Sequence, residues 1–208
     1  MARPPAPHLP APFFARRTLR VARDLIGVRL LHETADGTRY LARIVEVEAY
    51  VGDGTDPGAH GHGGMTARNR VMFGPPGHLY VYRSYGMHWC LNVVTERDGR
   101  CAAVLLRAVE PLEGVDGMTR NRGGRRGLEL TNGPGKLCAA MAIGIEHYGA
   151  SVEEGPIRFL PAVVPPRRIG VSRRIGLSKG QDHPWRFFDA DSPWVGRPRT
   201  PLRVIRRR

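Results

Sequence analysis

The chain has very little cysteine. Cys90, Cys101 and Cys138 are the only three, and no two of them form a CxxC pair. So sparse and odd a set argues against a disulfide framework and against a zinc site. Each reads as a small buried apolar residue, Cys90 and Cys101 in strand-like runs and Cys138 in a helical one. Lysine is almost missing too, with Lys136 and Lys179 alone. No apolar run is long enough to span a bilayer. The opening segment, MARPPAPHLPAPFFARR, is broken by prolines and lacks the continuous apolar stretch of a signal peptide. Residues 1–12 therefore read as a flexible lead, and the expectation is a cytoplasmic protein that is not secreted.

Positive charge is what the chain has in excess. Thirty-two Lys and Arg face 19 Asp and Glu, a formal net charge of +13. A field of that sign favours polyanions: DNA, RNA or an anionic membrane face. An Arg-biased codon usage accounts for arginine over lysine but not for the surplus. No long amphipathic helix with a basic face is visible, so nucleic acid is favoured over membrane. At 208 residues with 41% hydrophobic content, the chain can bury a core without staples.

Periodicity gives the elements. TLRVARDLIG, residues 18–27, reads as a helix capped by Thr18 and stopped by Gly27. VRLLHET reads as a strand, Asp36-Gly37 as a hairpin turn, and residues 38–50 as the return strand. Residues 51–76 are rich in Gly, Pro, Asp and His without periodicity, which marks a long, ordered working loop. Strands follow over 78–84, from Met87 to Thr95 and from Arg100 to Pro111, joined at Tyr85-Gly86 and Asp98-Gly99 as an antiparallel meander. PLEGVDGMTRNR opens a helix, and RGGRRG at 122–127 is a basic loop. TNGPGKLCAAMAIG reads as a helix entered through Asn132, with Leu137, Ala140, Met141 and Ile145 along one side. Short strands and loops follow from 150. The pattern gives a single α+β domain over 13–203, followed by a basic tail over 204–208.

Several groupings could carry chemistry. In IVEVEAY, residues 44–50, alternation puts Ile44, Glu46, Glu48 and Tyr50 on one strand face. Two readings fit: an ordinary wet face, or a carboxylate tuned to act as general base. GAHGHGG offers His60 and His62, but HxH without a third ligand at a typical spacing is weak for metal. His60 fits a pocket better, and His62 fits solvent. TARNR presents Arg68 and Arg70, suited to phosphate contacts or to a solvated loop. HLYVYRSYGMHWCLN, residues 78–92, gathers six rings in a chain with only 7% aromatic residues.

Taken in order, RIVEVEAY, AHGHGGMTARNRVMF, LYVYRSYGMHWCLNVV, AVLLRAVEPLEG, NGPGKLCAAMAI and SPWVG resemble the alkyladenine (3-methyladenine, or methylpurine) DNA glycosylase family. The likeness is strongest over 43–148 and extends from about 13 to 196. It implies one mixed domain on a curved antiparallel sheet flanked by helices, with a protruding β-hairpin and neither metal nor cofactor. It implies a monomer that acts on double-stranded DNA carrying a damaged purine, associates with the nucleoid through that DNA, and excises alkylated or deaminated purines. Glu48 matches the family's catalytic acid-residue position, and Arg107 an active-site arginine that helps hold the water and the flipped nucleotide's phosphate. Tyr50, His60 and Tyr82 match residues that enclose the flipped base, and Asn92 the pocket-floor residue that disfavours guanine. Tyr85 matches a minor-groove wedge, with Met87, Arg68 and Arg70 expected as DNA contacts.

Overall fold

A computed structural model describes residues 8–52 and 54–207. Strands β1 (Arg29–Glu33), β2 (Arg39–Tyr50), β3 (Leu79–Ser84), β4 (His88–Val94) and β5 (Ala103–Glu113) come first. They are followed by β6 (Ile157–Leu160), β7 (Arg168–Ser172), β8 (Arg186–Asp189) and β9 (Arg203–Arg206). They form one antiparallel sheet in the order β3-β4-β5-β2-β8-β7-β9. β2 is the axis. One edge pairs with β5 along its length; the other pairs with β1 over 39–43 and with β8 over 46–48. β6 extends the sheet beyond β1. This is the α+β single domain expected, with its helices α1 (Ala11–Phe14), α2 (Thr18–Leu25), α3 (Val115–Asn121) and α4 (Pro134–Ala140) packed around the sheet.

α2 presents Val21, Ala22 and Leu25 to a core shared with Ile44, Val47 and Ala49 of β2. Each such side chain contributes roughly 1.5–3 kcal/mol on burial. The helix begins at Thr18 as expected, but Thr18 is not its cap. Arg17 holds that position, and the Glu96 carboxylate accepts from both the Thr18 amide (3.1 Å) and its hydroxyl (2.6 Å). An anion at a helix N-terminus satisfies free N–H groups much as a capping side chain does.

The helix after Asn132 is shorter than its periodicity suggests. α4 stops at Ala140, Ala142 takes φ +54°, and exposed Ile145 opens a separate 3-10 turn. The three cysteines are buried and free; Cys138 lies in α4 and Cys90 in β4, while Cys101 precedes β5. Of the lead expected over 1–12, residues 1–7 lie outside those described; Leu9 already donates to Phe159 O, and Ala11 starts α1. Of the tail expected over 204–208, residues 204–206 belong to β9, paired with β7, and Arg208 lies outside those described. The adjacent β-branched residues Val204 and Ile205 supply that strand despite the flanking arginines, with Ile205 packed against the core.

The β3–β4 hairpin is registered from Leu79↔Val93 to Ser84↔His88, whereas β4 meets β5 only over Asn92–Val94. Its outer half therefore projects past the sheet. Tyr85 (φ +50°) and Gly86 (φ +67°) close it, with the Met87 amide donating to Ser84 O. With Ser84 paired to His88, the connection is the three residues Tyr85, Gly86 and Met87, the first two at positive φ.

Among the described residues no helix is long and apolar enough to cross a membrane.

Candidate active site

A cavity of about 590 Å³ opens between the hairpin, the 58–72 loop, the inner ends of β2 and β5, and residues 175–177. Its position follows from two opposed irregularities in the sheet. Ile44 pairs with Val109 and Glu46 with Ala108, so Val45 is an extra residue on β2. Glu46 pairs with Ala108 and Val47 with Leu106, so Arg107 is an extra residue on β5. Bulges of this kind re-aim side chains.

The bulge corrects the simple alternation read from the sequence. Ile44 joins Val47 and Ala49 in the main core, while Val45 packs with Ala108, Phe188 and Val195 on the opposite face. Glu46, Glu48 and Tyr50 stay together, but without Ile44.

Glu48 is completely buried and does not itself line the cavity. Three donors that do line it converge on the carboxylate. The Tyr50 hydroxyl donates to Oε2 (3.0 Å), Arg107 Nη1 to the same oxygen (3.1 Å), and the Ile175 amide to Oε1 (2.7 Å). Burial pushes the Glu48 carboxyl above its ordinary range, with Arg107, the Ile175 amide and Tyr50 pulling against it. Burial and the neighbouring carboxylate raise the Tyr50 hydroxyl well above its own range, so Tyr50 stays protonated and donates. Burial alone would lower Arg107; Glu48 and Glu46 outweigh it and hold the guanidinium charged.

The aromatic wall is built on β3. Tyr80 and Tyr82 stack 5.3 Å apart, and His60 meets Tyr82 edge-on at 4.5 Å. His60 Nδ1 lies 3.0 Å from the Tyr80 hydroxyl. Burial, then the nearby Arg68, lower the His60 imidazole, which favours its neutral form. Burial lifts the Tyr80 hydroxyl to about 12. Asn92 is buried at the cavity floor and donates its amide to Tyr80 O (3.1 Å).

Tyr50 stands in the cavity wall with Arg174 packed against its ring, the guanidinium carbon 4.7 Å from the centroid. Arg174 is itself clamped by Asp56 at 2.6 and 2.7 Å.

The expected residues divide by position. Tyr50, His60, Tyr82, Asn92, Arg107 and Tyr85 all line the cavity, and Glu48 lies immediately behind its wall. Tyr85 is 83% exposed at the hairpin tip, and Met87 is exposed beside it. Arg68, expected among phosphate contacts, also lines the cavity: its guanidinium sits 5.4 Å from the Tyr82 ring and donates to Arg83 O. Arg70 is exposed at the start of a 3-10 turn and is not part of the cavity wall. His62 is exposed, as expected.

Sequence reasoning missed four features. Tyr80 carries no site assignment from the sequence, yet it lines the cavity. Ile175 and Gly176 come from a segment with no motif of its own. The Asp56–Arg174 clamp joins residues 118 positions apart. Glu46 was seen as a strand carboxylate, yet no site role was attached to it; its spacing of two from Glu48 was the available signal.

Residues 12–193 match the family model described as methylpurine-DNA glycosylase (MPG). A protein of Chlorobaculum tepidum is 47% identical over 191 residues, covering 91% of this chain and 90% of its own. One from Rhodopseudomonas palustris is 48% identical over 92% of each chain. One from Methanoculleus marisnigri is 46% identical, covering 91% of this chain and 98% of its own. All three carry the name "Putative 3-methyladenine DNA glycosylase".

Proposed function

The chain belongs to the methylpurine-DNA glycosylase family, hydrolases of N-glycosyl bonds in DNA repair, and on that premise we propose that it works as a monomer that flips a damaged purine out of duplex DNA and hydrolyses its glycosidic bond. The observation that carries this reading is a buried carboxylate, Glu48, set directly behind the wall of an aromatic cavity whose rim holds an exposed tyrosine.

A base inside the duplex hides its glycosidic bond, so the nucleotide must leave the stack at a cost of a few kcal/mol. Tyr85 projects 83% exposed from the hairpin tip and is suited to fill the gap, offsetting the lost stacking. The extruded base enters between Tyr50 and the His60–Tyr82 pair, where aromatic stacking contributes roughly 1–3 kcal/mol. Alkylated purines such as 3-methyladenine and 7-methylguanine carry positive charge, which adds attraction to tyrosine faces. Neutral hypoxanthine and ethenoadenine gain less and rely more on Asn92 and the cavity floor.

Cleavage at C1′ passes through an oxocarbenium-like sugar. Ionised Glu48 stabilises that cation and takes a proton from the attacking water. Its raised proton affinity makes it a stronger base than a free carboxylate. Tyr50 and Arg107, both bonded to Oε2, must give way far enough for the water to reach it. No lysine lines the cavity, so the reading includes no Schiff base, and the product is an abasic site.

The test is one gel. Duplex DNA with a single hypoxanthine or an alkylated purine is incubated with the protein and then treated with alkali. A strand break that appears only after alkali is expected. Intact DNA after alkali, or a break without it, overturns the reading.

A further inference from the structure

Glu46 has no place in the chemistry described above, yet it is 1% exposed and accepts three hydrogen bonds, as many as Glu48. Its Oε1 accepts from Arg107 Nε at 2.8 Å and from Arg186 Nε at 2.7 Å. Its Oε2 accepts from the Gly196 amide at 2.7 Å. Arg186 is fully buried in turn, donating to Ser172 Oγ (3.0 Å), Pro198 O (2.8 Å) and Gly196 O (3.0 Å). Glu46 does not line the cavity, and of its three partners only Arg107 does.

We propose that Glu46 is a positioning residue for base release: it fixes the Arg107 guanidinium between two carboxylates, so that Arg107 is aimed at the cavity without being wholly committed to Glu48. The proposal rests on the base-release reading above.

Three features support it. The bulges at Val45 and Arg107 interrupt the ladder on both strands, and their joint effect is to bring Glu46, Glu48 and Arg107 together. A planar guanidinium bonded through both Nε and Nη1 has its orientation set, unlike one held at a single point. The charges also balance: two carboxylates face Arg107 and Arg186, so no net charge is buried. Removing one member of such a set leaves its partner uncompensated.

Arg107 and Arg186 hold the Glu46 carboxyl below its usual range in spite of burial, so it is an anion wherever Glu48 functions. That anion opposes ionisation of Glu48, while Arg107 favours it. Without Glu46, the full charge of Arg107 falls on Glu48 and weakens it as a base.

Glu46→Gln tests this. The amide keeps the shape and removes the charge. Single-turnover release of hypoxanthine is expected to fall by roughly tenfold or more. Affinity for lesion DNA should stay within about threefold, because Glu46 does not line the cavity. The acid limb of the pH–rate profile should move to lower pH, and the Glu48 carboxyl-carbon resonance should titrate lower than in the unaltered protein. A folded variant with an unmoved limb and unmoved titration overturns the proposal, as does a rate loss that only tracks loss of folded protein.

Should Glu46→Gln fail to fold, Gly196→Ala takes its place: a Cβ there would lie 3.1 Å from Glu46 Oε2 and 3.3 Å from Asn132 O, crowding the carboxylate while leaving every charge. Slowed release with retained lesion affinity is expected, and unchanged release overturns the proposal. If the unaltered protein leaves hypoxanthine DNA intact, the base-release reading falls by itself. The Glu48 titration still decides whether Glu46 governs that carboxylate.

Discussion

The Tyr50 hydroxyl donates a 3.0 Å hydrogen bond to Glu48 Oε2, two residues back along the same face of β2. One residue thus shapes the cavity wall with its ring and stabilises the buried anion with its hydroxyl. The two tasks separate in Tyr50→Phe. The ring remains, so lesion affinity should change little. The lost bond makes the Glu48 anion less stable, and its proton affinity rises further. A hydrogen bond to a charged group contributes about 1.5–3 kcal/mol, so the acid limb of the single-turnover profile should move up by about one unit or more. A limb that stays in place would show that the bond does not bear on Glu48 ionisation.

Glu48→Gln removes the proposed base and keeps the volume. General base catalysis contributes typically about 10²–10⁴-fold, and release of hypoxanthine should fall by that order. Lesion binding, measured by fluorescence anisotropy, should persist, because the aromatic walls are untouched. Excision at the unaltered rate would sink the assignment of Glu48.

Much of this site was legible in the sequence because it rests on short-range patterns. The period-two spacing of Glu46, Glu48 and Tyr50 puts them on one face, and they remain there. Tyr85-Gly86 between two alternating runs marks a hairpin tip, and it is one. What could not be read depends on register or on distant chain. A bulge at Val45 leaves no compositional mark, so Ile44 was put on the wrong face. The Ile175 amide reaches Glu48 across 127 positions, and Arg174 reaches Asp56 across 118. A loop arginine such as Arg68 looks the same whether it faces a phosphate or a cavity. Tertiary packing sets where it stands, and here the guanidinium lies 5.4 Å from the Tyr82 ring at the cavity.

Tyr85 occupies the left-handed region at φ +50°, where a non-glycine residue costs about 1–2 kcal/mol. Its ring is 83% exposed, so it loses little packing when removed. Tyr85→Gly should therefore raise the melting temperature by about 2–4 °C for a chain of this size. Flipping should weaken at the same time, read as a smaller fluorescence rise from a base analogue at the lesion site. A stabilised variant with undiminished flipping would remove Tyr85 from the wedge role.

Asp56 and Arg174 form a two-pronged ion pair with both side chains fully buried, and Arg174 backs the Tyr50 ring. Asp56→Ala strands a buried guanidinium. The expected loss is about 3–5 kcal/mol of stability, far more than a surface pair would give. Chemical denaturation measures it directly. A loss under about 1 kcal/mol would mean that the bonds Arg174 already makes to Ala49 O and Gly180 O are enough to hold the guanidinium.

His32 and His147 meet with their Nε2 atoms 3.1 Å apart in the core. His32 Nδ1 lies 2.7 Å from Met141 O, and a carbonyl only accepts, so the proton is on Nδ1. Neutral His32 then accepts at Nε2 from His147 Nε2–H. His147 Nδ1 is left to accept from the Gly144 amide. Protons on both facing Nε2 atoms would oppose each other across the 3.1 Å contact. Burial lowers the His32 imidazole below its ordinary 6.5, with the Met141 carbonyl opposing, His147 reinforcing and Glu146 opposing weakly. A group depressed in the folded state takes its proton first in the unfolded chain. Its contribution is therefore complete above pH 6.5 and is lost as pH falls below that value. The melting temperature should drop between about pH 7 and 5, and His32→Gln should flatten that slope while lowering stability at neutral pH. An equally steep slope in the variant would assign the acid sensitivity to other groups.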